Sequence, residues 1–279
     1  MPVMYQAARS TSSETAFQNF TMPERINRKK FIYTTGIGTA SILLKPSLRP
    51  LNLNTLKLKA VFFDAFTLFD PGPIFKTVEE LFPANGKQLV ETWRSKQFTY
   101  QWLRVCGRKY KNFWDVTADA LDYAMVKHVP SGTEKERDLI MAKYKSISAW
   151  PDVAPSLKTL KNLGMSLGIL SNMTAKMLHE GIQNSELSDY FEFVISTDKK
   201  QTYKPDRDAY QMAMEQTKLE KEEVLFAPFA GWDMTGAKWF GFPTFWVNRS
   251  NEPIEKLDVE PDGTGSNLND LVAFVKRIP

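Results

Sequence analysis

Cysteine and histidine are nearly missing from this chain. Cys106 is its single cysteine, so no internal disulfide can form. Its two histidines, His128 and His179, sit on helix-like stretches without ligand spacing. Both read as surface or packing residues, not metal ligands. No apolar run is long enough to span a bilayer comfortably, and there is no internal repeat or low-complexity tract. The net positive charge is confined to the N-terminal segment. Residues 1–57 hold eight basic and two acidic residues, a net +6, which leaves −2 for the rest of a chain at +4. A slightly acidic body argues against a nucleic-acid partner.

The basic segment reads "INRKKFIYTTGIGTASILLKPS". Arg28, Lys29 and Lys30 form a positive block, and a weakly apolar run from Phe31 to about Leu44 follows, diluted by Gly36 and Gly38. This is the order of parts in an export signal. Arg28-Lys29, one further residue, then Phe31-Ile32 resembles the twin-arginine export motif with lysine in the second arginine position. That route carries folded proteins, which suits a chain without disulfides. The expectation is an exported, periplasmic protein whose residues 1–57 are a leader, without a stable membrane span once mature. A disordered tail or an interfacial anchor helix is the plainer alternative.

Beyond the leader, five short apolar runs read as strands: Leu58–Asp64, Met165–Leu170, Phe191–Ser196, Val224–Phe229 and Thr244–Asn248. Runs apolar throughout, rather than alternating, suit a parallel sheet buried on both faces. Helix-period segments separate the last four, which predicts an α/β fold with a doubly wound parallel sheet. From Pro73 to Trp150 only helical periodicity is found, in four segments, with capping-box spacing at Thr133 and Glu136. The expected organisation is a Rossmann-like core from 58–72 and 150–279, with a helical cap at 73–149 inserted after the first strand.

Ligands of such sheets bind beyond the carboxyl ends of the strands. Asp64 ends the first run, Ser171 and Asn172 the second, Lys204 follows the third, and Asp233 the fourth. Each alone could be a turn or helix-cap residue. Together they suit covalent chemistry, in which a carboxylate attacks an electrophile and water hydrolyses the ester. Lys204 would orient the nucleophile, Asp233 would place the water, and Ser171 and Asn172 would hold a substrate anion.

With these motifs, and with "ELFPANGKQLVETWRSKQFTYQWLR", "WPDVAPSLKTLKNLG" and "GAKWFGFPTFWVNR", the chain from about Leu58 onward resembles the haloacid dehalogenase superfamily. It is most similar to the L-2-haloacid dehalogenases (type II). The resemblance implies hydrolytic dehalogenation of a short 2-haloalkanoic acid through an aspartyl ester, with no metal or other cofactor and with a homodimer possible. It implies that Asp64 is the nucleophile, oriented by Thr67, and that Arg94 meets the departing halide. Ser171 and Asn172 correspond to substrate-carboxylate and halide-side residues, Lys204 to the motif lysine, Tyr210 to a supporting tyrosine and Asp233 to the acid near the hydrolytic water. Phe66, Gln97, Phe98, Phe113 and Trp232 match pocket positions.

Two stretches depart from the family pattern. No glycine stands between Phe66 and Thr67, and Phe66 replaces a tyrosine, so the turn after Asp64 is expected to be tightened or re-aimed. Pro228, Phe229 and Ala230 stand where the family has Ser-Ser-Asn, which removes polar groups near the nucleophile and its water. A binding protein without turnover is the alternative those losses favour. A phosphatase of the same superfamily needs an acid two residues after the nucleophile, and Phe66 is none.

Overall fold

A computed structural model describes residues 57–279. All of the leader except Lys57 lies outside the described residues. Among the described residues, no helix is long and apolar enough to cross a membrane.

The first four apolar runs form one parallel sheet, from β1 (Ala60–Phe63), β2 (Ser166–Ser171), β3 (Phe193–Ser196) and β4 (Val224–Ala227), in the order β3-β2-β1-β4. Both faces are buried, and alternate side chains divide between two clusters. Val61, Phe63, Leu167, Ile169 and Leu225 join one core, while Phe62, Leu170, Ile195 and Phe226 join the other. Gly168 in β2 lies against the Phe62 ring, where a Cβ would come within 2.3 Å.

The fifth run departs from expectation. β5 (Phe245–Val247) pairs along its length with β6 (Gly263–Gly265), a strand not foreseen in the sequence. Its link to β4 is one isolated parallel bridge, Phe226 to Thr244. Pro228 and Pro243 contribute carbonyls at this junction but have no N–H with which to extend the ladder. For the same reason β4 stops at Ala227, two residues short of the predicted end.

Helices α1 (Ala65–Leu68), α2 (Gly72–Leu81), α3 (Gly86–Cys106), α4 (Phe113–His128) and α5 (Glu134–Lys145) follow β1, and α6 (Val153–Asn162) then leads into β2. Of these, α2 to α5 are the expected helical segments. Thr133 and Glu136 form the reciprocal capping box at α5. Trp93 of α3 is buried, stands edge-on to Phe75 and Tyr144, and donates its indole N–H to the Thr117 carbonyl of α4 at 2.9 Å, which ties these helices together. The remaining helices are α7 (Ala175–Asn184), α8 (Arg207–Thr217), α9 (Gly231–Phe240) and α10 (Leu268–Val275). Gly164, at φ +81°, ends the α6 segment in the left-handed region.

Candidate active site

The carboxyl ends of β1, β2 and β4 and the inner side of α3 enclose a cavity of about 430 Å³. Asp64 follows β1 directly and caps α1, its Oδ2 accepting the Phe66 N–H at 2.9 Å. Its Oδ1 accepts from Lys204 Nζ at 2.9 Å. The same ammonium reaches Asp233 Oδ2 at 2.5 Å and lies over the Phe226 ring, 5.0 Å from its centroid. Asp64 is 9% exposed, Asp233 1% and Lys204 0%, so a cation wholly out of water is held between two carboxylates.

No residue from Asp64 to Asp70 adopts a positive φ. The turn after the nucleophile position is a single helical turn that Ala65, Phe66 and Thr67 all tolerate. The missing glycine therefore costs no backbone strain here, and Asp64 still faces Lys204.

Burial opposes the charge on Lys204, but Asp233 and then Asp64 outweigh it and hold the ammonium pKa above its ordinary value. Burial also pushes the Asp233 carboxyl up, to about 6, against the downward pull of Lys204 and with Asp64 adding to the rise. Tyr210 donates to Asp233 Oδ1 at 2.7 Å; burial, then the neighbouring Asp233, keeps its phenol far above the usual range and thus protonated.

The other residues singled out in the sequence divide into wall and support. Arg94, Gln97 and Phe98 of α3, Phe113 of α4, and Phe66, Ser171 and Trp232 all line the cavity. Arg94 forms no ion pair among the described residues and stacks over Phe75 at 5.2 Å. Ser171 Oγ accepts the Met173 N–H at 3.1 Å, which occupies that backbone donor but leaves the hydroxyl proton free for an anion. Asn172 also lines the cavity, but its amide is engaged: Oδ1 accepts the Lys204 N–H at 2.8 Å, and Nδ2 donates to Gln101 at 3.0 Å. It braces the lysine's backbone. Thr67 and Tyr210 lie behind the wall. The Thr67 hydroxyl donates to the Ala227 carbonyl at 2.9 Å, not to the Asp64 carboxylate, and so ties α1 to the end of β4.

Sequence reasoning missed Phe75, Glu91, Gln101 and Tyr144 in the wall. Gln101 follows Gln97 by one helical turn, a spacing that could have revealed it. Tyr144, in "KYKSI", carried no such signal. Burial raises its phenol pKa to about 12 despite a hydrogen bond from Gln97. Among the described residues, no group of three His, Cys, Asp or Glu is placed to hold a metal ion.

Fold and site together define an α/β protein with a buried carboxylate–lysine–carboxylate centre beneath inserted helices. The chain belongs to the haloacid dehalogenase-like hydrolase family, whose model matches residues 74–247. It is 34% identical over 217 residues to the (S)-2-haloacid dehalogenase of Pseudomonas sp. (strain YL), covering 77% of this chain and 93% of that one. It is 32% identical over 220 residues to haloacetate dehalogenase H-2 of Moraxella sp. (strain B), covering 78% and 98%. The structure of the Xanthobacter autotrophicus L-2-haloacid dehalogenase with chloropropionic acid covalently bound superposes with a TM-score of 0.72 at 31% identity, over 80% of this chain and all of that one.

Proposed function

We propose that this protein is a hydrolytic dehalogenase of 2-haloalkanoic acids that works through an ester on Asp64. The observation that carries the reading is the Asp64 carboxylate in the cavity wall, with one oxygen on Lys204 and the other on the Phe66 N–H. Such a carboxylate is aimed before substrate arrives. An Asp64 oxygen attacks the 2-carbon, the carbon–halogen bond breaks, and halide leaves with the electron pair. Displacement inverts the carbon. Arg94, a cation in the wall without an ion-pair partner among the described residues, stabilises the departing anion. The Ser171 hydroxyl supplies a donor for the substrate carboxylate.

Water then adds to the ester carbonyl. Asp233 takes its proton, the acyl–oxygen bond breaks, and the 2-hydroxy acid leaves after reprotonation. One water oxygen remains in Asp64, and an original Asp64 oxygen departs in the product. Phe66, two residues beyond Asp64, has no proton to give a leaving alcohol, which argues against phosphate esters. Halide release from a panel of 2-haloacids, run beside phosphate esters, tests the reading; phosphate release without halide would reject it.

The leader motif around Arg28 supports twin-arginine export to the periplasm, and the family resemblance supports a homodimer. N-terminal sequencing of the native protein and sedimentation of the purified one test these two points.

A further inference from the structure

The cavity is large for the smallest haloacids. Pockets of about 300–1,000 Å³ bury drug-sized ligands, and at about 430 Å³ this one falls within that range. Haloacetate or 2-halopropionate fills only a fraction of it. The space beside Asp64 is aromatic. Phe66 and Phe229 pack with ring centroids 6.1 Å apart, and the Phe98 and Trp232 rings lie 4.9 Å from one another. All four line the cavity, together with the charged and polar side chains of Asp64, Arg94, Ser171 and Asp233. Phe229 stands where polar residues were expected from the family pattern. Its backbone carbonyl is fixed by the Trp246 indole N–H at 3.0 Å, so the segment carrying the ring is anchored.

Resting on the dehalogenase reading, we infer that the preferred substrate carries a bulky apolar group, aryl or branched alkyl, at the halogen-bearing carbon, and that Phe66 and Phe229 select it. Such a group buries surface against the aromatic wall that a methyl group leaves exposed. Each buried methylene strengthens binding about fourfold. An aryl group adds edge-on or offset contacts to the rings.

The test measures kcat/KM for chloroacetate, 2-chloropropionate, 2-chlorohexanoate and 2-chloro-2-phenylacetate. The expected result is a rise of about fourfold per buried methylene, with the aryl acid at or near the top. Phe229→Ala should lower kcat/KM for the aryl acid about tenfold, as expected for a lost aromatic contact, and change chloroacetate far less; a melting curve confirms that the variant is folded, and Phe66→Leu serves as the second variant. A flat or falling series beyond 2-chloropropionate overturns the inference. If no member releases halide, the dehalogenase reading fails separately. The matching 2-hydroxy acids, titrated by tryptophan fluorescence, then decide the size preference: tightening with size supports it, and equal or weaker binding of the larger acids overturns it.

Discussion

Arg249 donates to the carbonyl oxygen of Thr67 through both Nη2 and Nε, at 3.0 and 3.3 Å. The same guanidinium is clamped by Asp152 at 2.9 and 3.0 Å and stacks 4.7 Å above Trp150. The Trp150 indole N–H donates to the preceding carbonyl, that of Phe66, at 3.2 Å. Two consecutive carbonyls of the turn that follows Asp64 are therefore gripped from outside the cavity, and the aim of Asp64 depends on that grip.

Arg249→Lys should accordingly lower kcat on the order of tenfold to a hundredfold while KM moves little, because a lysine keeps the charge but cannot fork between Thr67 and Asp152. Steady-state kinetics on the folded variant measures it. A lower melting temperature with unchanged kcat would reduce Arg249 to a stability role.

The Asp233 carboxyl, with its pKa raised to about 6, must be ionised to take a proton from water. Below that pH the protonated fraction grows, so activity should fall tenfold per pH unit on the acid side of an apparent value near 6. The Tyr210 hydrogen bond lowers the Asp233 pKa, so Tyr210→Phe should move this limb to higher pH. A pH–rate profile flat from 5 to 7 would show that Asp233 does not act as the base, since the limb lies near the raised value of about 6.

Gly236 of α9 is a close-approach site. A Cβ there would come within 2.5 Å of both Tyr210 Oη and Pro205 Cβ. Alanine favours helices over glycine by about 1 kcal/mol, but overpacking costs about 1–3 kcal/mol, so Gly236→Ala should destabilise on balance. Because Tyr210 and the Lys204 loop would be displaced, activity should fall too. Urea unfolding and steady-state rates check both.

Much of this site was legible because each reactive residue ends or follows an apolar run: Asp64 after β1, Ser171 at the end of β2, Asp233 after β4. Lys204 was readable by position, though its complete burial was not, since a lysine in "TYKPD" looks like a solvated loop. The supports were hidden because they act across long stretches of chain. Arg249 meets Asp152 from 97 residues away, and Asn172 meets Gln101 from 71. No local pattern records such pairs. The departure of β5 from the main sheet was likewise unreadable, because an apolar run does not name its partner strand.

The fourth-motif segment makes its own prediction. Ala230 occupies the N-cap position of α9 and supplies no side-chain cap, and Pro228 offers only a carbonyl, which Val247 N–H occupies at 3.1 Å. In the proposed mechanism Asp233 then has to place the hydrolytic water with little help, and loss of one such group costs about a hundredfold or more. Ester hydrolysis should limit turnover. Stopped-flow halide detection should show a burst equal to the enzyme concentration, then slow release, and Pro228→Ser with Ala230→Asn should speed the slow phase. A linear trace from the first turnover would place the slow step earlier.

The ester on Asp64 is the central claim, and oxygen-18 water tests it most directly. After turnover of a 2-haloacid in labelled water, peptide mass spectrometry should find label in the Asp64 carboxylate, and the product of the first turnover should be unlabelled. Label in that first product, with none in Asp64, would mean that water attacks carbon directly and would contradict the account.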